Sequence, residues 1–180
     1  LGRTPSWTAW SSSWGRSSTE VGMNDTQIVE RVKEMLGDKA VEVTHPAERR
    51  IFVLVEPQNL VAVARVLKES LGFVHVATIS GVDLGEEFEI LYHMSNEYTN
   101  LNLRTRIPRA NPHVESICGV IPGAILYERE IQDMFGIVVD NIPDPRRLVL
   151  PDDWPEGQHP LRKDWRFERP EEKIPGGKAS

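Results

Sequence analysis

Five prolines, Pro143, Pro145, Pro151, Pro155 and Pro160, fall within a short stretch near the end of the chain. No helix interior or central strand tolerates that frequency, because each proline removes a backbone donor and fixes φ. The regular core must therefore come from residues before Gly136, and the segment beyond it is an extended arm of about 25 residues. Compact domains rarely keep irregular loops beyond about 12–15 residues unless these bind something. This arm also holds Arg146, Arg147, Trp154, Arg162 and Trp165, residue types that dominate interface hot spots. Its prolines reduce the entropy lost when such a segment is immobilised on a partner. It reads as a docking surface rather than a solvated tail.

The spacing predicts a helix over 124–135 ahead of the arm, opened by Pro122 and Gly123 and closed by Gly136. Ala124, Tyr127, Ile131 and Met134 or Phe135 form its apolar stripe. Glu128 and Glu130 are read as flanking that stripe, and Arg129 and Asp133, four apart, as an exposed pair stabilising it by about 0.3–0.5 kcal/mol. The two glutamates are expected to hold arginines, with Glu128 meeting Arg146 or Arg147 in a buried pair.

Upstream, Ile28, Val32, Met35 and Leu36 mark a short amphipathic helix that Asn24 or Asp25 can cap and Gly37 can end. Residues 40–44 and 51–55 are β-rich, the second apolar throughout as a central strand would be. Pro57 opens a further helix whose stripe is Leu60, Val63, Ala64, Leu67 and Leu71. A strand begins over 73–79. Two alternating runs, Phe88 to Met94 and Leu101 to Ile107, predict an antiparallel hairpin with one buried face and Glu–Arg pairs on the other. The expected class is α+β: a mixed, largely antiparallel sheet with helices on one face, followed by an extended C-terminal arm. The expected divisions are a Ser/Trp-rich arm over 1–22, a core domain over 23–137, and a Pro-rich docking arm and charged tail over 138–180. Trp7, Trp10 and Trp14 would share one helical face in the first arm, which is read as a partner contact.

Other chemistries find little support. The net charge of −6 argues against nucleic acid as the main partner, and no apolar run approaches the roughly 20 residues needed to span a bilayer. One cysteine, Cys118, allows neither an internal disulfide nor a four-cysteine cluster within this sequence; it is expected to be a buried core residue. His45, His75, His93, His113 and His159 lack zinc-ligand spacing. Asp83, Glu86, Glu87 and Glu89 are read as a solvated charge cluster. No Gly-rich fingerprint or GK[ST] loop is present, so a nicotinamide, flavin or nucleotide site in this chain is not expected.

In chain order, Glu128-Arg129-Glu130, Asp133-Met134-Phe135-Gly136-Ile137, Pro143-Asp144-Pro145-Arg146-Arg147-Leu148, Pro151-Asp152-Asp153-Trp154 and His159-Pro160-Leu161-Arg162-Lys163-Asp164 closely resemble the signature of the hydrophilic 30 kDa subunit of respiratory complex I, the NADH:quinone oxidoreductase. Related subunits occur in membrane-bound hydrogenases and sulfane sulfur reductase complexes. The resemblance weakens upstream to about Asp25. It departs at Pro155-Glu156-Gly157-Gln158, longer than the family spacing, and over residues 1–22. It implies a non-catalytic assembly subunit of the peripheral arm of a membrane-bound oxidoreductase that couples electron transfer to ion translocation. No cofactor is expected in a subunit of this kind. Iron–sulfur clusters, and in hydrogenase relatives a nickel-iron site, belong to its partners: the large catalytic subunit and adjacent iron–sulfur subunits. It would lie on the cytoplasmic side of the membrane, attached only through those partners. The residues expected to make partner contacts are Glu128, Arg129, Glu130, Asp133, Arg146, Arg147, Asp152, Trp154, His159, Arg162, Lys163 and Asp164. A rival reading is a free-standing small α+β enzyme using Glu128, Glu130 and His159 as acid/base groups.

Overall fold

The structure, a computed structural model, describes residues 24–166. The Ser/Trp-rich arm with Trp7, Trp10 and Trp14 and the end of the charged tail lie outside the described residues.

Helix α1 spans Asp25–Leu36 and opens on a reciprocal cap. The Gln27 amide donates to the Asn24 side chain (2.9 Å), and the Gln27 side chain accepts from the Asn24 amide (3.0 Å); this satisfies two donors that a helix start otherwise leaves open. Strands β1 (Ala40–Ala47) and β2 (Arg50–Val55) form a hairpin, and the turn between them is tied to α1. His45 Nε2 and the Arg49 amide both reach the Asp25 carboxyl. A 3-10 turn, Pro57–Asn59, leads into α2 (Leu60–Leu71), which ends at Gly72 in left-handed geometry. Then come β3 (His75–Asp83), β4 (Glu87–Ser95) and β5 (Asn100–Pro108), an antiparallel meander.

The sheet order is β1-β2-β5-β4-β3, with β2 and β5 parallel at its centre and every other neighbour antiparallel. Register pairs Ile51 with Leu101 and Val53 with Leu103, and those leucines with Met94 and Tyr92, so their side chains share one face. Ile28 and Val32 of α1, and Leu60, Val63 and Leu67 of α2, are fully buried with them in one core. Each such side chain contributes about 1.5–3 kcal/mol relative to exposure. The α+β reading and the β4–β5 hairpin therefore hold. A second, two-stranded parallel sheet joins β6 (His113–Glu115) to β7 (Val138–Asp140). Three-residue strands are too short for alternation to reveal, and nothing in the sequence pattern marked them.

The acidic cluster needs correction. Asp83 and Glu89 are buried, whereas Glu86 and Glu87 are exposed. Glu89 sits opposite Arg106 on β5 and accepts from Arg104 (2.6 Å) and Arg106 (2.9 Å) on the outer sheet face. Burial would raise its pKa, but the two guanidiniums outweigh this and lower it.

Candidate docking site

Helix α3 (Ile125–Phe135) carries the site, and Gly136 closes it in left-handed geometry. The arm after Gly136 folds back over this helix. Asp133, buried near the last turn, accepts three successive backbone amides at one oxygen: Leu148 (2.9 Å), Val149 (2.8 Å) and Leu150 (3.2 Å). Arg129, one turn earlier, donates to the carbonyls of Arg146 (2.7 Å) and Arg147 (2.9 Å) and pairs with Asp144 at 3.3 Å. The expected Arg129–Asp133 pair is thus replaced by contacts from each residue to the arm. An exposed helical pair gains a few tenths of a kcal/mol, whereas a hydrogen bond to a charged group contributes about 1.5–3 kcal/mol. The arm wins on magnitude.

Arg146 is 81% exposed and grips Asp144 through two nitrogens (2.8 and 2.7 Å). That contact, with the Arg146 amide, holds the Asp144 carboxyl well below the ordinary carboxylate range. Arg147 turns inward along the arm and caps the carbonyls of Pro151 (3.1 Å) and Trp154 (2.9 Å). The Trp154 indole donates to the Gln158 carbonyl (2.9 Å), with its ring 6.1 Å from that of Trp165. Asp152 lies exposed on the turn between them.

The His-Pro-Leu-Arg-Lys-Asp run clamps the C-terminal end of α3. His159 Nδ1–H donates to the Asp133 carbonyl (2.9 Å), the Leu161 amide to the Met134 carbonyl (3.1 Å) and Arg162 Nε to the Phe135 carbonyl (2.6 Å). These are the carbonyls a helix end leaves open. Gly136 permits this approach: a Cβ there would overlap the His159 ring, and would lie 2.6 Å from the Arg162 guanidinium. Beyond it, the Lys163 amide reaches Asp83 (2.9 Å), and Arg109 bridges Asp83 and Asp164 (2.6 Å each). The guanidiniums of Arg109 and Arg162 each stand 5.3 Å from the Phe88 ring. Burial and the neighbouring Arg109 charge lower the Arg162 pKa.

Asp83 reports on this closure. Burial alone would raise its pKa; the Lys163 amide, the Arg109 guanidinium and the Gly85 amide outweigh that and hold it at about 2, against an ordinary 3.8. A carboxyl depressed in the folded state stabilises fully above its unfolded pKa and loses that contribution as pH falls through its folded one. Stability should therefore decline between about pH 4 and pH 2, and Asp83→Asn should flatten that decline. Thermal midpoints measured against pH check this; parallel curves for the two proteins would refute it.

Glu128 lies elsewhere. It is fully buried and accepts from the Ser116 hydroxyl (2.6 Å), the Ile117 amide (2.8 Å) and the Cys118 thiol (3.1 Å). It therefore holds neither Arg146 nor Arg147, contrary to expectation, and instead ties the loop after β6 to the first turn of α3. Cys118 is buried as expected. Burial, with Glu128 beside it, pushes the thiol up to about 11 although Ser116 opposes the shift, which leaves little thiolate for reaction. Glu128, Glu130 and His159 do not converge. Glu128 faces the interior, Glu130 is exposed two residues on, where helical side chains diverge, and His159 is turned toward the Asp133 carbonyl. Arg109, Asp83, Asp144 and Ser116 were missed as members of the site. Asp83 had a signal, since it alternates in phase with Ile79 and Gly81 on the core face of β3.

An arm bound back on its own α3 by this ordered set of charged residues has close relatives. Residues 53–171 match the family described as the respiratory-chain NADH dehydrogenase, 30 Kd subunit. The chain belongs to this family. Within the 30 kDa subunit family, it is 38% identical over 154 residues to the C subunit of NADH-quinone oxidoreductase from Roseiflexus sp. (strain RS-1), covering 80% of this chain and 85% of that one. The C subunit of F(420)H(2) dehydrogenase from Methanosarcina mazei is 36% identical over 148 residues, covering 79% and 92%. Among solved structures, a chain of the membrane-bound sulfane sulfur reductase, an archaeal respiratory membrane complex, superposes with TM-score 0.70 at 26% identity, over 83% of this chain and 98% of that one. Among the described residues, no helix of this family member is long and apolar enough to cross a membrane.

Proposed function

We propose that this chain is a structural subunit of a complex-I-like respiratory oxidoreductase, docking on the large catalytic subunit beside its iron–sulfur partners at the cytoplasmic face of the membrane. Electron transfer and its coupling to ion translocation would reside on those other chains. The observation that carries the reading is the near-complete superposition on a chain of a respiratory membrane complex, at 98% coverage of that chain. The clasp supports it further. With Asp133, Arg129, His159 and Arg162 committed to holding the arm, the outer surface is left to Leu126, Leu148, Val149 and Leu161, each 42–53% exposed, beside Glu130, Arg146, Asp152 and Lys163. Scattered exposed leucines are ordinary, but four apolar side chains on one helix and its overlying arm form the kind of surface that partners cover. The buried Glu128 then shapes the surface from within.

The test is purification through a tag on this chain from membranes of its own source. A large subunit and iron–sulfur subunits should copurify. Arg146→Glu, which reverses a charge 81% exposed, should reduce the recovered large subunit at least tenfold while the isolated chain stays folded. Full recovery with full oxidoreductase activity would sink the docking assignment, and turnover by the isolated chain would favour a free-standing enzyme.

A further inference from the structure

Strand β3 ends the five-stranded sheet on one side. Its stretch from Val76 to Val82 reads Val-Ala-Thr-Ile-Ser-Gly-Val, with neither charge nor proline. An edge strand presents unpaired main-chain groups, and soluble proteins usually blunt it with lysine, proline or short length. β3 runs nine residues and uses none of these between Val76 and Val82. The Leu84 amide donates to the Glu87 carbonyl (2.9 Å), which sets the alternation of the ladder to β4. By that alternation Val82 and Ser80 bond to β4, while the main-chain groups of Ile79 and Gly81 face the open side.

That side is a groove of about 220 Å³ between residues 78–81 of β3 and the exposed flank of α3. Met134 and Leu161 line it with apolar surface, Leu161 being 53% exposed, and Glu130 stands at its rim. Glu130 is exposed and has neither a cation nor a hydrogen-bond partner among the described residues.

We propose that the groove accepts one extended segment of a partner subunit, which adds to β3 as a sixth strand. The proposal rests on the subunit reading above and names the surface it uses. Main-chain bonds to Ile79 and Gly81 supply affinity, and alternate side chains supply specificity. One apolar side chain of the segment packs on Met134 and Leu161, and a lysine or arginine meets Glu130. A second copy of this chain does not fit that description, because its β3 has no cation between Val76 and Val82 and each copy carries a net charge of −6.

The experiment uses the full tagged chain expressed in its source, with p-benzoylphenylalanine replacing Leu161, or Val41 on the opposite sheet edge as the control. Irradiated membranes should give a crosslink to one other subunit from position 161 at least fivefold above that from position 41. Thr78→Lys, which charges the edge on the half-exposed outer face, should lower incorporation into the complex at least tenfold, with the midpoint of the isolated chain unchanged. Glu130→Lys should lower it at least threefold. A Thr78→Lys chain recovered at the wild-type level, or a position-161 crosslink only to a second copy, overturns the proposal. Failure of the wild-type chain to copurify with any subunit would instead overturn the subunit reading itself.

Discussion

Glu128→Ala will destabilise the domain by about 3 kcal/mol, a large share of the roughly 5–15 kcal/mol that holds a domain folded. The loss has two sources. Three buried donors, the Ser116 hydroxyl, the Ile117 amide and the Cys118 thiol, lose their acceptor, and stranding a buried polar group costs about 1–3 kcal/mol. The truncated side chain also leaves a void beside Ile117 and Ile131, both buried. Glu128→Gln keeps the shape and one acceptor oxygen, so about half the loss should return. Urea unfolding of the three proteins gives the comparison. A change below about 0.5 kcal/mol for the alanine variant would mean that the loop and helix are not joined through this residue.

Asp133→Ala will free the arm and leave the core folded. Three amides, from Leu148 to Leu150, converge on one Asp133 oxygen, so a single substitution removes the central tether of the segment. The measurable consequence falls on the bond between Arg147 and Leu148, whose amide nitrogen is one of the three. Trypsin should cut there at least tenfold faster in the variant, since cleavage of a tethered segment follows the population of its opened state. The far-UV signal of the sheet should not change. Equal cutting rates would show that the Arg129, His159 and Arg162 contacts hold the arm without Asp133.

Much of the fold could be read ahead of the structure wherever apolar side chains recur at a fixed period. Leu60, Val63, Ala64, Leu67 and Leu71 announced α2, and Phe88 to Met94 against Leu101 to Ile107 announced the central hairpin, because burial of one face forces those periods. Charged residues were less legible. Glu128 lies four residues after Ala124 and three before Ile131, and so on the buried stripe itself, but a carboxyl group was assigned to the flank by type. A cluster of donors about ten residues upstream, at positions no helical period connects, keeps it inside. Arg129 and Asp133 had the spacing of a helical pair, yet each found a stronger partner in the arm. The arm's irregular course was evident from its prolines; that it closes first on its own helix was not, since its partners, Asp83 and Arg109 among them, are far away in sequence.

The bond from Lys163 to Asp83 joins residues 80 apart, and it is made by the last part of the described chain. At roughly 5–20 residues per second, the stretch of about 25 residues after Asp140 takes about 1–5 s to synthesise. During that interval the sheet and α3 already exist in full while the carbonyls at the end of α3 have nothing to meet. A newborn chain therefore passes through a form with its helix end bare, and any chaperone or subunit that acts early encounters a surface the finished protein no longer shows.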